Sequence, residues 1–131
     1  MPERSTDWME QSIRDLQMAK NAAASDFPEW ACFIAQQAAE KAIKAVYQKK
    51  GGVAWGHSVV DLLQGLPGDC DVPTDLLKVA RNLDRWYIQA RYPDGFPQGK
   101  PGDYVDREDA EDAISGAGRI LQFCEGILAG H

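Results

Sequence analysis

Phe33-Ile34-Ala35-Gln36-Gln37-Ala38-Ala39-Glu40-Lys41-Ala42-Ile43-Lys44-Ala45 is the stretch from which the fold of this chain is read. Ile34, Ala35, Ala38, Ala39, Ala42, Ile43 and, beyond it, Val46 recur at three- and four-residue steps, the spacing of a helix that buries one face. That face is mostly alanine, so a neighbouring helix can approach closely. Pro28 suits a first helical turn and Gly51-Gly52 a stop, so the helix is predicted over residues 28–49. Glu40 and Lys44 make a favourable i,i+4 pair. Gln36, Gln37, Glu40 and Lys41 form its polar side, either a solvated face or the lining of a groove between helices.

Outward from this helix the periodicity stays helical. Met9, Ile13, Leu16, Ala19 and Ala23 mark a helix over residues 5–24, capped by Ser5 or Thr6, with Asp7 and Glu10 at the positive end of its dipole. Ser58 with Asp61 starts a short helix over residues 59–64, and residues 67–71 are turn-rich. A longer helix over residues 73–90 carries Leu76, Ala80, Leu83, Tyr87 and Ala90 on one line. A second line beside it holds Leu77, Arg81, Asp84, Ile88 and Arg91. Residues 92–103 contain three prolines and three glycines and predict no regular element; a loop of that length in a small domain is often functional. Asp106 caps a last helix over residues 107–128, with the cleanest 3.6-residue pattern of the chain. The expectation is an all-α, antiparallel four-helix up-and-down bundle with one additional short helix, forming a single domain over residues 1–131.

Composition narrows the function. The chain has 131 residues and a formal net charge of -6, which argues against a broad electrostatic grip on nucleic acid; a nucleic-acid role would rest on a few placed residues. Three cysteines at wide spacing, Cys32, Cys70 and Cys124, read as reduced thiols, with Cys32 and Cys124 in the core. The first 20 residues show no apolar signal segment, and no run approaches a membrane span, so the expected location is the cytoplasm, with no membrane partner. Of four tryptophans, Trp30 and Trp86 are expected in the bundle. Trp8 and Trp55 lie near element ends, where exposure would mark an interface.

His57 and His131 are the only histidines; no HExxH, paired Cys/His spacing, Walker loop, GxGxxG or nucleophile elbow appears, so neither metal nor cofactor is expected. What remains is Arg81, Asp84, Tyr87, Arg91, Tyr92, Pro93 and Asp94. Arg81, Asp84 and Arg91 share a helix face. One reading is a structural ion pair, with Asp84 as partner of Arg81 or Arg91. The other is an anion site with Arg91 as a bidentate donor. His57 is either a residue capping the neighbouring helix or a catalytic group.

Five pieces in order resemble the HEPN family, the higher eukaryotes and prokaryotes nucleotide-binding domain. They are Asp15-Leu16 with Ala19; Phe33 to Ala45; Gly56-His57-Ser58-Val59 with Leu62-Leu63; Leu83-Asp84 with Tyr87-Ile88 and Ala90-Arg91-Tyr92-Pro93-Asp94; and Ala117, Ile120, Leu121 and Phe123. They span nearly the whole chain, and Gln-Gln-Ala-Ala-Glu-Lys-Ala and Ala-Arg-Tyr-Pro-Asp carry most of the likeness. The resemblance implies a helical bundle that commonly dimerises and, in many bacterial and archaeal members, partners a minimal nucleotidyltransferase as a toxin–antitoxin pair. Active members are metal-independent RNases whose motif is an Arg, four to six residues, then a His. Arg91 stands at the place of that Arg, but no His follows at the motif distance. Tyr104 is the loose counterpart of a Tyr that the partner enzyme modifies in some members.

Three readings follow. The first is a nucleotide- or RNA-binding and interaction module, dimeric, with Arg91, Tyr92, Asp84, Arg81, Lys41 and Gln37 around a phosphate. The second is an endoribonuclease using Arg91 with His57 brought in by the fold. The third is a structural dimer partner whose Arg91–Asp84 pair only holds the bundle.

Overall fold

The alanine face of the 33–45 stretch sits where the chain packs most tightly. In the structure, a computed structural model that describes residues 3–68 and 70–130, α1 (Ser5–Ala24) and α2 (Pro28–Lys50) lie antiparallel across a short turn, and α7 (Arg107–Leu128) packs against both. Ala31, Ala35, Ala38, Ala39, Ala42 and Ala45 of α2 are fully buried, so the backbones of these helices come close. The remaining elements are α3 (Val59–Gln64), α4 (Thr74–Asp84), α5 (Trp86–Gln89), a 3-10 turn (Pro93–Gly95) and α6 (Pro101–Tyr104). The fold is all-α, a helical bundle in which α4 and α5 supply the fourth member and α3 the additional short helix.

The predicted stops and starts are found for local reasons. Gly51 ends α2 in the left-handed conformation at φ 77°. Ser58 Oγ accepts from the Asp61 amide at the start of α3. Asp106 and Asp109 cap each other's amides at the start of α7, at 2.8 and 3.0 Å. Cys32 and Cys124 are fully buried.

Other expectations are corrected. The helix predicted over 73–90 is divided at Arg85, where the ladder is interrupted and Trp86, 2% exposed, enters the core with the Arg85 guanidinium 4.2 Å from its ring centroid. The 92–103 segment is not wholly irregular: Pro93 opens the 3-10 turn and Pro101 opens α6, positions where a missing N–H costs nothing. α1 is capped at Arg4, not at Ser5 or Thr6, because the Glu3 carboxylate takes the Ser5 amide. Ser12 and not Ile13 faces α2. Ser12 is fully buried and donates to the Ala38 carbonyl at 2.6 Å, whereas Ile13 is 46% exposed. A close crossing admits a small side chain whose hydroxyl can bond backbone, and turns the larger neighbour outward. Trp30, expected in the core, is also 46% exposed.

The last corner of the fold is joined by small residues and one phenol. A Cβ at Gly116 of α7 would lie 2.8 Å from Val79 Cγ1 of α4, so glycine sets how near these helices sit. Tyr47 Oη donates to the Leu62 carbonyl at 2.7 Å, tying α2 to α3, and burial raises the pKa of that phenol. Among the described residues no helix is long and apolar enough to cross a membrane.

Candidate functional site

Phe33, Gln36, Gln37 and Glu40 follow one another at helical steps along the side of α2 that faces the α2–α3 loop and the end of α5. Arg91 lies just beyond α5, its amide bonded to the Ile88 carbonyl at 3.0 Å. Its guanidinium carbon is 4.3 Å from the Phe33 ring centroid, 4.7 Å from Tyr87 and 4.9 Å from Tyr92. Nε donates to the Tyr87 carbonyl at 2.8 Å. Three rings and one carbonyl thus fix the plane of the guanidinium. Among the described residues no carboxylate is within ion-pair distance of Arg91, and its two terminal nitrogens have no protein hydrogen-bond partner.

His57 is held to the same cluster from the other side. Its ring stacks on Tyr87 at 4.7 Å and 17°. Nδ1 is 3.0 Å from Glu40 Oε1, and the buried Glu40 also receives Lys44 Nζ at 3.2 Å. The His57 carbonyl accepts from Nε2 of the fully buried Gln36 at 2.9 Å, while Gln36 Oε1 accepts from Gln37 at 2.8 Å. With the Nδ1 proton directed to Glu40, Nε2 is the free ring nitrogen. The imidazole has an orienting carboxylate, as a positioned acid or base requires. Beside it His57, Ser58, Asp84, Tyr87 and Ile88 line a cavity of about 260 Å³.

Asp84 does not pair with Arg81 or Arg91. Its carboxylate accepts from Ser58 Oγ at 2.8 Å and from the amides of Val59 and Val60 at 2.6 and 3.2 Å. Those amides open α3 and lack helical partners, so a carboxylate is most stable there. Asp84 therefore positions the segment that carries His57, and the structural-pair reading of Arg91 loses its basis. Lys41 is also elsewhere: it bonds Asp15 on α1. Arg81 is exposed and has no ion-pair partner among the described residues. Of the expected set, the structure brings together Arg91, Tyr92, His57 and Gln37, with Asp84 behind them, and leaves Lys41 and Arg81 outside. Tyr104 stacks on Phe96 at 4.4 Å and donates to the Gln98 carbonyl at 2.6 Å, apart from this cluster. His131 lies outside the described residues.

Phe33 is the member that sequence reading did not single out. The signal was present: it stands four residues before Gln37, on the same line of α2. No thiol joins the cluster. Burial pushes Cys32 up to about 12 and raises Cys124 as well, so both stay protonated at neutral pH. Among the described residues there is no group of three or more His, Cys, Asp or Glu that could hold a metal. What the arrangement offers is a fixed cation with free donors, an oriented imidazole, and stacking rings between them.

The HEPN domain model matches residues 5–127. Three solved structures are similar over 95% of the chain. TT1696 from Thermus thermophilus has a TM-score of 0.93 at 46% identity, with 98% of that chain covered. ST0689, an archaeal HEPN homologue, has 0.82 at 39%, with 98% covered. A HEPN domain protein from Thermotoga maritima has 0.77 at 39%, with 99% covered. No curated protein matches.

Proposed function

Because the chain belongs to the HEPN domain family, we propose that it binds a nucleotide or RNA phosphate at Arg91 and acts as an interaction module. The observation that carries this reading is the uncommitted end of Arg91. A guanidinium stacked on three rings, with Nε anchored and two nitrogens free, is oriented for bidentate contact with a phosphate. In this reading the module works in the cytoplasm as a homodimer and partners a minimal nucleotidyltransferase in a toxin–antitoxin-type pair. The dimer is supported by an apolar groove of about 520 Å³, lined by Met18, Phe27, Trp30 and Ile34 among others, with Met18 and Phe27 more than half exposed. Trp30 makes an edge contact with Phe33 at 6.2 Å, which joins that face to the Arg91 cage.

Titration with uridine 3′-monophosphate and with a short single-stranded RNA tests the site. The expected result is saturable binding that falls at least about tenfold in Arg91→Met, a loss of roughly 1.4 kcal/mol or more, with the helical signal unchanged. Equal affinity in the variant contradicts the reading. Light scattering on Trp30→Glu tests the dimer: a wild-type dimer should become monomeric.

A second reading, a metal-independent endoribonuclease, is favoured by the shared Tyr87 wall that holds both His57 and Arg91. It predicts RNA cleavage that persists in EDTA and disappears in both Arg91→Ala and His57→Ala. Intact RNA after incubation with the wild type excludes it and leaves the binding reading standing.

A further inference from the structure

We infer that Trp55 is a stacking platform for an RNA base next to the phosphate held at Arg91, an assignment that rests on the phosphate reading above. Trp55 lies on the loop between α2 and α3 and is 80% exposed, the most exposed large apolar side chain among the described residues. Val53, two residues earlier, is 67% exposed. An exposed indole offers a rigid, flat apolar face on which a flat partner can stack.

Its place in the chain says which partner. Trp55 precedes His57 by two residues, so their Cα atoms are no more than about 7.6 Å apart. The His57 end of the loop is fixed: Gln36 holds its carbonyl, while Glu40 and Tyr87 hold its ring. Gly56 between them takes φ 77°, with open space around it, and turns the chain at this point. The backbone of Trp55 is thereby tied to a fixed point, within about 7.6 Å of His57. At the base of the loop Lys50 puts positive charge on the exposed end of α2, while Lys49 beside it lies 4.0 Å from the Glu3 carboxylate.

A ribonucleotide fits this pattern better than a protein partner. A protein hot spot needs a ring of surrounding contacts that exclude water. Trp55 is instead flanked by loop residues and does not line the apolar groove of α1 and α2. Bases need a single face, and every base has one. Stacking also supplies affinity that does not depend on neutralising many phosphates, which suits a chain of net charge -6.

The test uses the full chain and two labelled probes, a single-stranded hexaribonucleotide and an abasic strand of the same length, read by fluorescence anisotropy. For the hexaribonucleotide, Trp55→Ala should weaken binding by roughly 5- to 100-fold, as loss of one stacked base does. Trp55→Phe should recover most of it. The abasic strand should bind wild type and Trp55→Ala equally. If Trp55→Ala binds the hexaribonucleotide like the wild type while Arg91→Met does not, the platform is wrong, the phosphate site stands, and the indole belongs to a protein contact. If the wild type binds neither strand, the phosphate reading falls and the platform with it.

Discussion

The packed face of α1, α2 and α7 and the corner built from α3, α4 and α5 are stabilised by different physics. In the first, the small side chains of α2 and apolar residues such as Ile43, Val46, Ile120 and Leu121 are removed from water, and few polar side chains take part. In the second, directional bonds decide the geometry: Asp84 to the opening amides of α3, Tyr47 to Leu62, Gln36 to His57, and Glu40 to the His57 ring. Apolar burial tolerates small shifts, whereas a hydrogen bond weakens steeply when its angle is lost. The first region holds the fold, and the second holds Arg91 and His57 in register.

The sharpest way to break this contrast is to damage each region once. Ile43→Ala, at a fully buried position, should cost about 2–5 kcal/mol and lower the unfolding midpoint of the whole chain. Asp84→Ala should cost less, about 1–3 kcal/mol, because it leaves opening amides of α3 unpaired. Its effect should also be local: hydrogen exchange should quicken at Val59 and Val60, with the α1, α2 and α7 amides little changed. Uniform acceleration across all helices would erase the distinction.

A gentler probe uses the thiols. Cys32 and Cys124 are buried, with burial holding both thiols protonated, while Cys70 is half-buried on the corner side. Iodoacetamide at pH 8 should label Cys70 in the native chain, and the other two only at the rate of global unfolding. The smallest expected effect is electrostatic. Asp75 hydrogen-bonds Arg119 across α4 and α7, and this partner lowers its pKa from the ordinary 3.8. A carboxylate with a depressed folded pKa adds stability above its unfolded value and loses it as pH falls through the folded value. Arg119→Ala should therefore differ slightly from the wild type at neutral pH, and the two melting curves should converge below pH 3.8. The pair is exposed, so the difference should be near the resolution of the melt.

Local signals in the chain carry the fold. The alanine spacing of α2, Gly51 as its stop, and the Ser58 and Asp106 caps all act within a turn or two of themselves. Choices between neighbours on one helix are less legible. Ile13 and Ser12 both satisfy the period, and only the close approach of Ala38 selects the serine. The break at Arg85 has no glycine or proline to announce it. For the site, the Ala-Arg-Tyr-Pro-Asp motif points to Arg91, but not to its surroundings. Spacing matches Asp84 with arginines on its own helix because it shows only that helix; the actual donors lie 24 to 26 residues away on another element. Lys41 is read into the phosphate set for the same reason, since its actual partner Asp15 belongs to α1.

Phosphate binding at this site depends on Arg91 being a held cation with free donors. The most direct measurement is nuclear magnetic resonance of the arginine Nε–Hε groups during titration with uridine 3′-monophosphate, with signals assigned by single substitution. The Arg91 signal should move saturably while those of Arg81, Arg85 and Arg119 stay in place. If Arg91 does not move, or if all the arginines drift together with ionic strength, the phosphate site is not there.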